Sequence, residues 1–220
     1  MIVHNILLVT LQLLLSCTSI ISTDFSSMEG NEIFALANEL FEDSEYEQAG
    51  DAFLQSIFRG GDFETQTALE YLLKSHQQLG QPEQGYILLG NELINRKALQ
   101  QGLNYLDQAL KINPKSFEAH LIYGDALKGR GADDSTLKIR ADHYIKAVEI
   151  DPKSPKGYKG LAHMFWDVSN WKEAMTYFSR TYEIDNTDDE ALSAALYLRQ
   201  YCCNWGRDGE QYEKDLKMLI

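Results

Sequence analysis

Small and large apolar residues return on a 34-residue period from residue 30 onward, and within each period the large ones fall three or four residues apart. The clearest unit is 83–116, where Tyr86, Leu89, Gly90, Leu93, Gly102, Leu106, Ala109 and Pro114 occupy unit positions 4, 7, 8, 11, 20, 24, 27 and 32. Such spacing puts side chains on one helix face, so each unit predicts a pair of helices, A and B. Small residues at 8, 20 and 27 let helix A approach helix B and the next helix A, while the large ones fill the holes between them. Proline at 32 cannot donate the hydrogen bond a continuing helix needs, and helix B ends there.

The pattern recurs on both sides. Unit 117–154 has Gly124 at position 8, then Tyr144, Ala147 and Pro152, after four extra residues around Gly129 to Thr136 that are expected to lengthen a turn. Unit 155–188 carries Tyr158, Leu161, Phe165, Ala174 and Phe178, with Asn186 in the proline position. Upstream, 30–63 fits through Leu36, Ala37, Leu40, Ala49 and Phe53. A last unit from Asp189 keeps Leu192, Tyr212 and a Trp205 equivalent to Trp171, but loses the small positions, as an edge unit would. Residues 64–82 hold one further helical run, Leu69, Leu72, Leu73, His76 and Leu79, closed by Gly80-Gln81-Pro82. Whether 83–95 is its partner helix or the first helix of the next unit is open at this level. The prediction is an all-α chain of about eleven helices without strands.

This spacing resembles the tetratricopeptide repeat, whose signature is a large residue, Leu-Gly, an aromatic, Ala, an aromatic, Ala and Pro at those places. The resemblance implies a right-handed superhelical solenoid of antiparallel helix pairs across residues 24–220. Such a solenoid offers a concave groove lined by helix A at positions 2, 5, 9, 12 and 13, and binds a protein or peptide there without catalysing a reaction. Those positions include Phe34, Asn38 and Phe41, then Ile87 and Asn91, then Leu121, Asp125 and Lys128. Lys156, Lys159, His163 and Trp166 follow, and finally Glu190 and Tyr197. Lys156, Lys159, His163 and Trp166 share one helix face. The lysines suit an acidic or phosphorylated stretch of partner, and Trp166 offers a large rigid apolar contact. Members of the family that bind chaperone tails hold a terminal carboxylate with a clamp of Lys and Asn. Beside Asn38 the lysine place is taken by Phe34, so that function is not carried over.

Composition narrows the partner. The 220 residues hold 33 acidic against 20 basic side chains, a net charge of −13, which disfavours nucleic acid because no Lys/Arg stripe is present to replace the counterions of a phosphate backbone. Between Asp24 and Glu70 stand twelve carboxylates against one base, Arg59, the pattern of a solvated acidic face. Residues 1–23 contain no Asp, Glu, Lys or Arg, and Ile6 to Leu15 is an apolar run followed by Ser16-Cys17-Thr18-Ser19. That reads as a cleaved secretory signal and places the chain in the secretory pathway or outside the cell; if retained, the segment would be a membrane anchor, the one route by which a membrane becomes a partner. Removal of the signal leaves Cys202 and Cys203, adjacent and unable to staple the fold.

No catalytic, cofactor or metal constellation emerges. Arg59-Gly60-Gly61-Asp62 is too short for a phosphate loop and fits a turn. His4, His76, His120, His143 and His163 are scattered, with no pair at i, i+4, and His120 and His143 read as structural.

At the far end, Leu198-Arg199-Gln200-Tyr201-Cys202-Cys203-Asn204-Trp205-Gly206-Arg207 resembles the stretch that joins repeats to the catalytic region in O-linked N-acetylglucosamine transferase-type proteins, with Cys203-Asn204-Trp205 standing for that family's Cys-Asp-Trp. The resemblance implies an alternative role as the substrate-recruiting region of such a glycosyltransferase, its catalytic domain outside these residues. The family's asparagine ladder at unit position 6 is replaced here by Ala35, Leu88, Ile122, Gly160 and Ala194.

Overall fold

A computed structural model describes residues 25–129 and 134–201, which form ten α-helices and, among those residues, no strand. They are α1 (Gly30–Glu42), α2 (Tyr46–Arg59), α3 (Thr65–Gln78), α4 (Gln84–Asn95), α5 (Leu99–Ile112), α6 (Phe117–Ala126), α7 (Asp134–Ile150), α8 (Pro155–Asp167), α9 (Trp171–Ile184) and α10 (Asp189–Tyr201). The chain divides into two compact units, one ending at Gly85 and one beginning at Tyr86. The leader-like segment 1–23 lies outside the described residues, as do Cys202, Cys203, Trp205 and Tyr212.

In the first unit α2 packs on both α1 and α3. The small positions predicted from the repeat are the buried ones: Ala37 on α1 and Ala49 and Ser56 on α2. Phe53 is fully enclosed and stacks on Tyr71, while Phe41 meets Phe53 and Tyr71 edge-on. Aromatic pairs in these offset and edge geometries add to the stabilisation from buried area.

In the second unit the helices follow the A, B, A′ order of the repeat. α4 and α5 meet at two glycines: a Cβ on Gly102 would stand 2.6 Å from the Gly90 carbonyl oxygen, and one on Gly90 2.9 Å from that of Gly102. This close approach joins α4 to α5 as the A and B helices of 83–116. α6 then packs on α7, α7 on α8, α8 on α9 and α9 on α10. The core runs as linked clusters, Tyr144 with Leu161 and Met164, then Ala162, Ala174 and Phe178 with Ala191, Ala195 and Leu198.

Two kinds of turn repeat with the helices. Ser44, Lys97 and Ser169 stand at unit position 15, after helix A, with φ of 64°, 68° and 58°. The next amide in each reaches back to close the helix end, Glu45 to Leu40, Ala98 to Leu93 and Asn170 to Phe165. Gly80 (φ 73°) closes α3 the same way, with the Gln81 amide on the His76 carbonyl, so α3 ends as an A helix does. After helix B the device is an Asx turn. Asn113, Asp151 and Asp185, all at position 31, accept the amides of Lys115, Lys153 and Thr187, and Ser116, Ser154 and Asp188 at position 34 cap the following helix.

The extra residues of 117–154 do not simply lengthen a turn. α7 starts at Asp134 and runs 17 residues, against 14 for α2, α5 and α9, so Ser135 and Thr136 are helical. Hydroxyl residues suit a first helical turn, where backbone amides lack carbonyl partners within the helix.

Candidate functional site

The site forms where two successive A helices, α6 and α8, flank the B helix α7. Tyr144 of α7 is 1% exposed, and its ring lies between Gly124 of α6 and Gly160 of α8. A Cβ on Gly124 would stand 2.7 Å from the ring, and one on Gly160 would collide with it. Two helices therefore close on a flat aromatic only because both lack a side chain there. The ring so held carries its hydroxyl to Asp125, to which it donates a 2.7 Å hydrogen bond. Burial and the Asp125 carboxylate push the hydroxyl's pKa up, which keeps the proton on the donor.

Above this ring is a pocket of about 220 Å³, lined by Leu121, Asp125 and Lys128 of the α6 side, Lys156, Lys159, Gly160 and His163 of α8, and Tyr144. Asp125, Lys156, Lys159 and His163, four of the residues expected to face a groove, are brought together here, with Leu121 and Lys128 from the same register. Behind the ring is a group that the repeat pattern concealed. Arg140 occupies position 20, the place of Gly102 and Ala174 in other units, and is 2% exposed. Its Nη1 donates to Asp167 at 2.7 Å, its guanidinium carbon lies 5.7 Å from the Tyr144 ring centre, and its Nε and Nη2 are buried without a hydrogen-bond partner among the described residues. A large cation at a position reserved for small residues was the available signal for it.

Lys159 is engaged. Its ammonium bridges Asp188 at 2.8 Å and Glu190 at 2.7 Å. Burial opposes the charge, but the hydrogen bonds of Asp188 and Glu190 outweigh it and hold the lysine's pKa above its ordinary value. Asp188 is fixed a second way, since it also accepts the Ala191 amide at 2.9 Å and caps α10. Glu190 is 57% exposed, and its other oxygen lies 3.3 Å from His163 Nε2. Burial first, then nearby Lys128, lower the pKa of His163 and keep it neutral. Lys128 and Lys156 are exposed and make no ion pair among the described residues.

The other expected groove residues are spread. Trp166 is half-buried, edge-on to Trp171 and Phe178 and 5.9 Å from the ring of Tyr197, so one face belongs to the α8–α9–α10 core. Tyr197 is 50% exposed. Ile87 is 1% exposed, packed in the core with Ala109 and Ala119, while Asn91 is half-buried on α4. In the first unit the Phe34 ring is covered by Phe63, stacked at 4.4 Å, Asn38 donates to the Phe34 carbonyl, and Phe41 packs on Tyr71.

A second polar cluster lies on the α6–α7 pair. His120 Nε2 is 3.1 Å from the Pro114 carbonyl and must donate to it, so its Nδ1 accepts from His143 Nδ1 at 2.9 Å. His143 also stacks on Tyr123 at 3.9 Å. Among the described residues no group of three or more His, Cys, Asp or Glu side chains is arranged to hold a metal, and no helix is long and apolar enough to cross a membrane.

No protein-family model matches the chain, and none of the curated proteins does. Solved structures do. The chain is similar to YrrB, described as a TPR protein with an unusual peptide-binding site, at 18% identity and TM-score 0.51, over 74% of this chain and 89% of that one. It is also similar to the first TPR of Spaghetti (RPAP3), solved with the HSP90 peptide SRMEEVD, at 12% identity and TM-score 0.50, over 55% of this chain and 93% of that one. With the helix pairs, the recurring small positions and the two recurring turns, these likenesses identify the fold of this chain as that of the tetratricopeptide repeat.

Proposed function

We propose that the chain is a non-catalytic scaffold that binds a protein partner, taking an extended peptide or a partner helix on the A-helix face of its second unit. The observation that carries this reading is the convergence of Leu121, Asp125 and Lys128 from one repeat with Lys156, Lys159 and His163 from the next on a single open pocket. The same helices bury Ala119, Gly124, Leu161 and Ala162 on their other sides, which leaves Asp125, Lys128 and Lys156 exposed at the pocket beside Lys159, itself paired with Asp188 and Glu190. The half-exposed Tyr197 extends the face beyond Trp166. Support from the fold is general: one protein of this architecture was solved with a bound peptide and another is described by its peptide-binding site. If residues 1–23 are removed as a signal, the partner is met in the secretory pathway.

Selection of peptides from a random library on the purified full chain, followed by photo-crosslinking, tests the reading. Selected peptides should crosslink to a benzophenone placed at Lys156 and not to one at Lys146, which is exposed on α7 and lies about 200° around the helix from Tyr144. Crosslinking at residue 146 alone, or a library that yields no binder, would overturn it.

A further inference from the structure

We infer that His120 and His143 form a two-coordinate site for a closed-shell monovalent metal ion, Cu(I), held in line between their Nδ1 atoms. The inference stands apart from the peptide face, since neither ring lines the α6–α8 pocket.

The repeat itself marks the pair. With the four extra residues of 117–154 set aside, His120 and His143 hold unit positions 4 and 23. In 83–116 those places belong to Tyr86 and Tyr105, whose ring centres lie 6.4 Å apart, and in 155–188 to Tyr158 and Tyr177. Tyrosine rings serve this slot in two units, yet the unit between them puts an imidazole at both places.

The imidazoles are also aimed. His120 is 3% exposed, and its Nε2 donates to the Pro114 carbonyl at 3.1 Å, which leaves its Nδ1 lone pair directed at His143 Nδ1, 2.9 Å away. A donated bond from the far nitrogen to a backbone carbonyl fixes the tautomer and orientation that a metal-binding histidine needs. Burial favours the neutral form of both rings, the form that offers a lone pair.

The number of donors selects the ion. Zn(II) in a protein takes four ligands, and among the described residues no group of three or more His, Cys, Asp or Glu side chains is arranged to supply them. Two imidazole nitrogens in line satisfy Cu(I), whose closed shell imposes no higher coordination. A metal–imidazole bond is about 2 Å long, so the two nitrogens must stand about 4 Å apart, roughly 1 Å more than the hydrogen bond spans. His120 is buried and tied to Pro114; the half-buried His143, stacked on Tyr123 at 3.9 Å, is the ring that shifts, sliding across the tyrosine face. The ion takes the line held by the His143 Nδ1 proton, which leaves to solvent while Nε2 takes one up. The site gains one positive charge and no electron is transferred. Asp142 on α7 and Asp107 of α5, which acts on Tyr123, offset that charge, whereas Lys146 on α7 opposes it.

Nitrogen NMR of the full chain with isotope-labelled histidine, its cysteines alkylated so that thiols do not compete, tests this with Ag(I), a redox-inert ion of the same class. One equivalent should move the Nδ1 resonances of His120 and His143 together and leave those of His4, His76 and His163 in place. Cu(I) added without oxygen should then resist a chromophoric chelator, and X-ray absorption should show two nitrogen donors at about 2 Å. Zn(II) should bind at least about a hundredfold more weakly. His143→Gln should abolish Cu(I) binding, and Lys146→Gln, at an exposed position, should tighten it roughly two- to fivefold without moving the thermal midpoint. The shifts in the unaltered chain decide the matter even where His143→Gln fails to fold. Resonances that move at other histidines, sulfur among the donors, Zn(II) held as tightly as Cu(I), or Cu(I) affinity unchanged in His143→Gln would each overturn the site. So would the absence of a bound ion at one equivalent, and the pair would then be a hydrogen-bonded packing contact.

Discussion

Tyr144 and Asp125, on different helices and 19 residues apart, are joined by a 2.7 Å hydrogen bond that exists because Gly124 and Gly160 let the tyrosine ring pass between α6 and α8. The ring is at once core and floor of the pocket. Tyr144→Phe keeps the ring and removes the bond, which should cost about 1 kcal/mol in urea unfolding. Gly160→Ala should cost more, about 1–3 kcal/mol, since its new methyl collides with the ring and neither helix can give way without losing the packing on its far side. If Gly160→Ala is instead stabilising, as helix propensity alone would have it, the enclosure of the ring is wrong.

Ala147 at position 27 is fully buried, where α8 brings Gly157 onto α7. Ala147→Leu should destabilise by about 1–3 kcal/mol through overpacking. Lys153, exposed in the next turn, should tolerate change to alanine within about 0.5 kcal/mol. Equal shifts of melting temperature would show a wrong repeat register.

Lys97 holds a left-handed backbone, φ 68°, that an L side chain adopts at a cost of about 1 kcal/mol or more, and the residue is exposed. Lys97→Gly should therefore stabilise the second unit by about 0.5–1 kcal/mol after the added entropy of the unfolded chain. Differential scanning calorimetry reads it directly, and a lower melting temperature would contradict the strain.

The His120–His143 pair gives a pH dependence with a definite sign. Burial first and then Lys146, with His120 as a further cause for His143, lower both pKa values, that of His143 to about 4; only Asp142 opposes the shift on His143, and the Pro114 carbonyl that on His120. The unfolded chain titrates near the ordinary histidine value and binds more protons below it. The stabilisation from this pair is thus complete above about pH 6.5 and is lost as the pH falls toward 4. Urea midpoints measured at stepped pH should decline through that window, and His143→Gln should flatten the decline. An unchanged slope in the variant would mean that other groups cause it.

The repeat spacing alone determined the helices and their order. Three- and four-residue recurrence sets a helix face, and glycine or alanine at positions 8, 20 and 27 marks where a neighbour comes close. These are local properties, carried by residues within one unit. The turns were partly legible too. Position 32 was read as the stop signal, but Asn113, Asp151 and Asp185 one residue earlier form the Asx turns.

What only the tertiary structure decided is which A-helix residues remain for a ligand. Ile87 and Asp125 hold equivalent rank in a groove register, yet Ile87 is covered by Ala109 and Ala119 while Asp125 is exposed at a pocket. Phe34 is half-buried with one ring face stacked on Phe63, a contact that depends on how the 60–63 turn folds back. Lys159 looked like a free cation beside Lys156, but residues 29 and 31 positions further along neutralise it. Periodicity reports the direction of a side chain from its own helix axis, whereas burial and ion pairing depend on what the next helix places opposite it. That is fixed by packing over distances the 34-residue pattern does not encode.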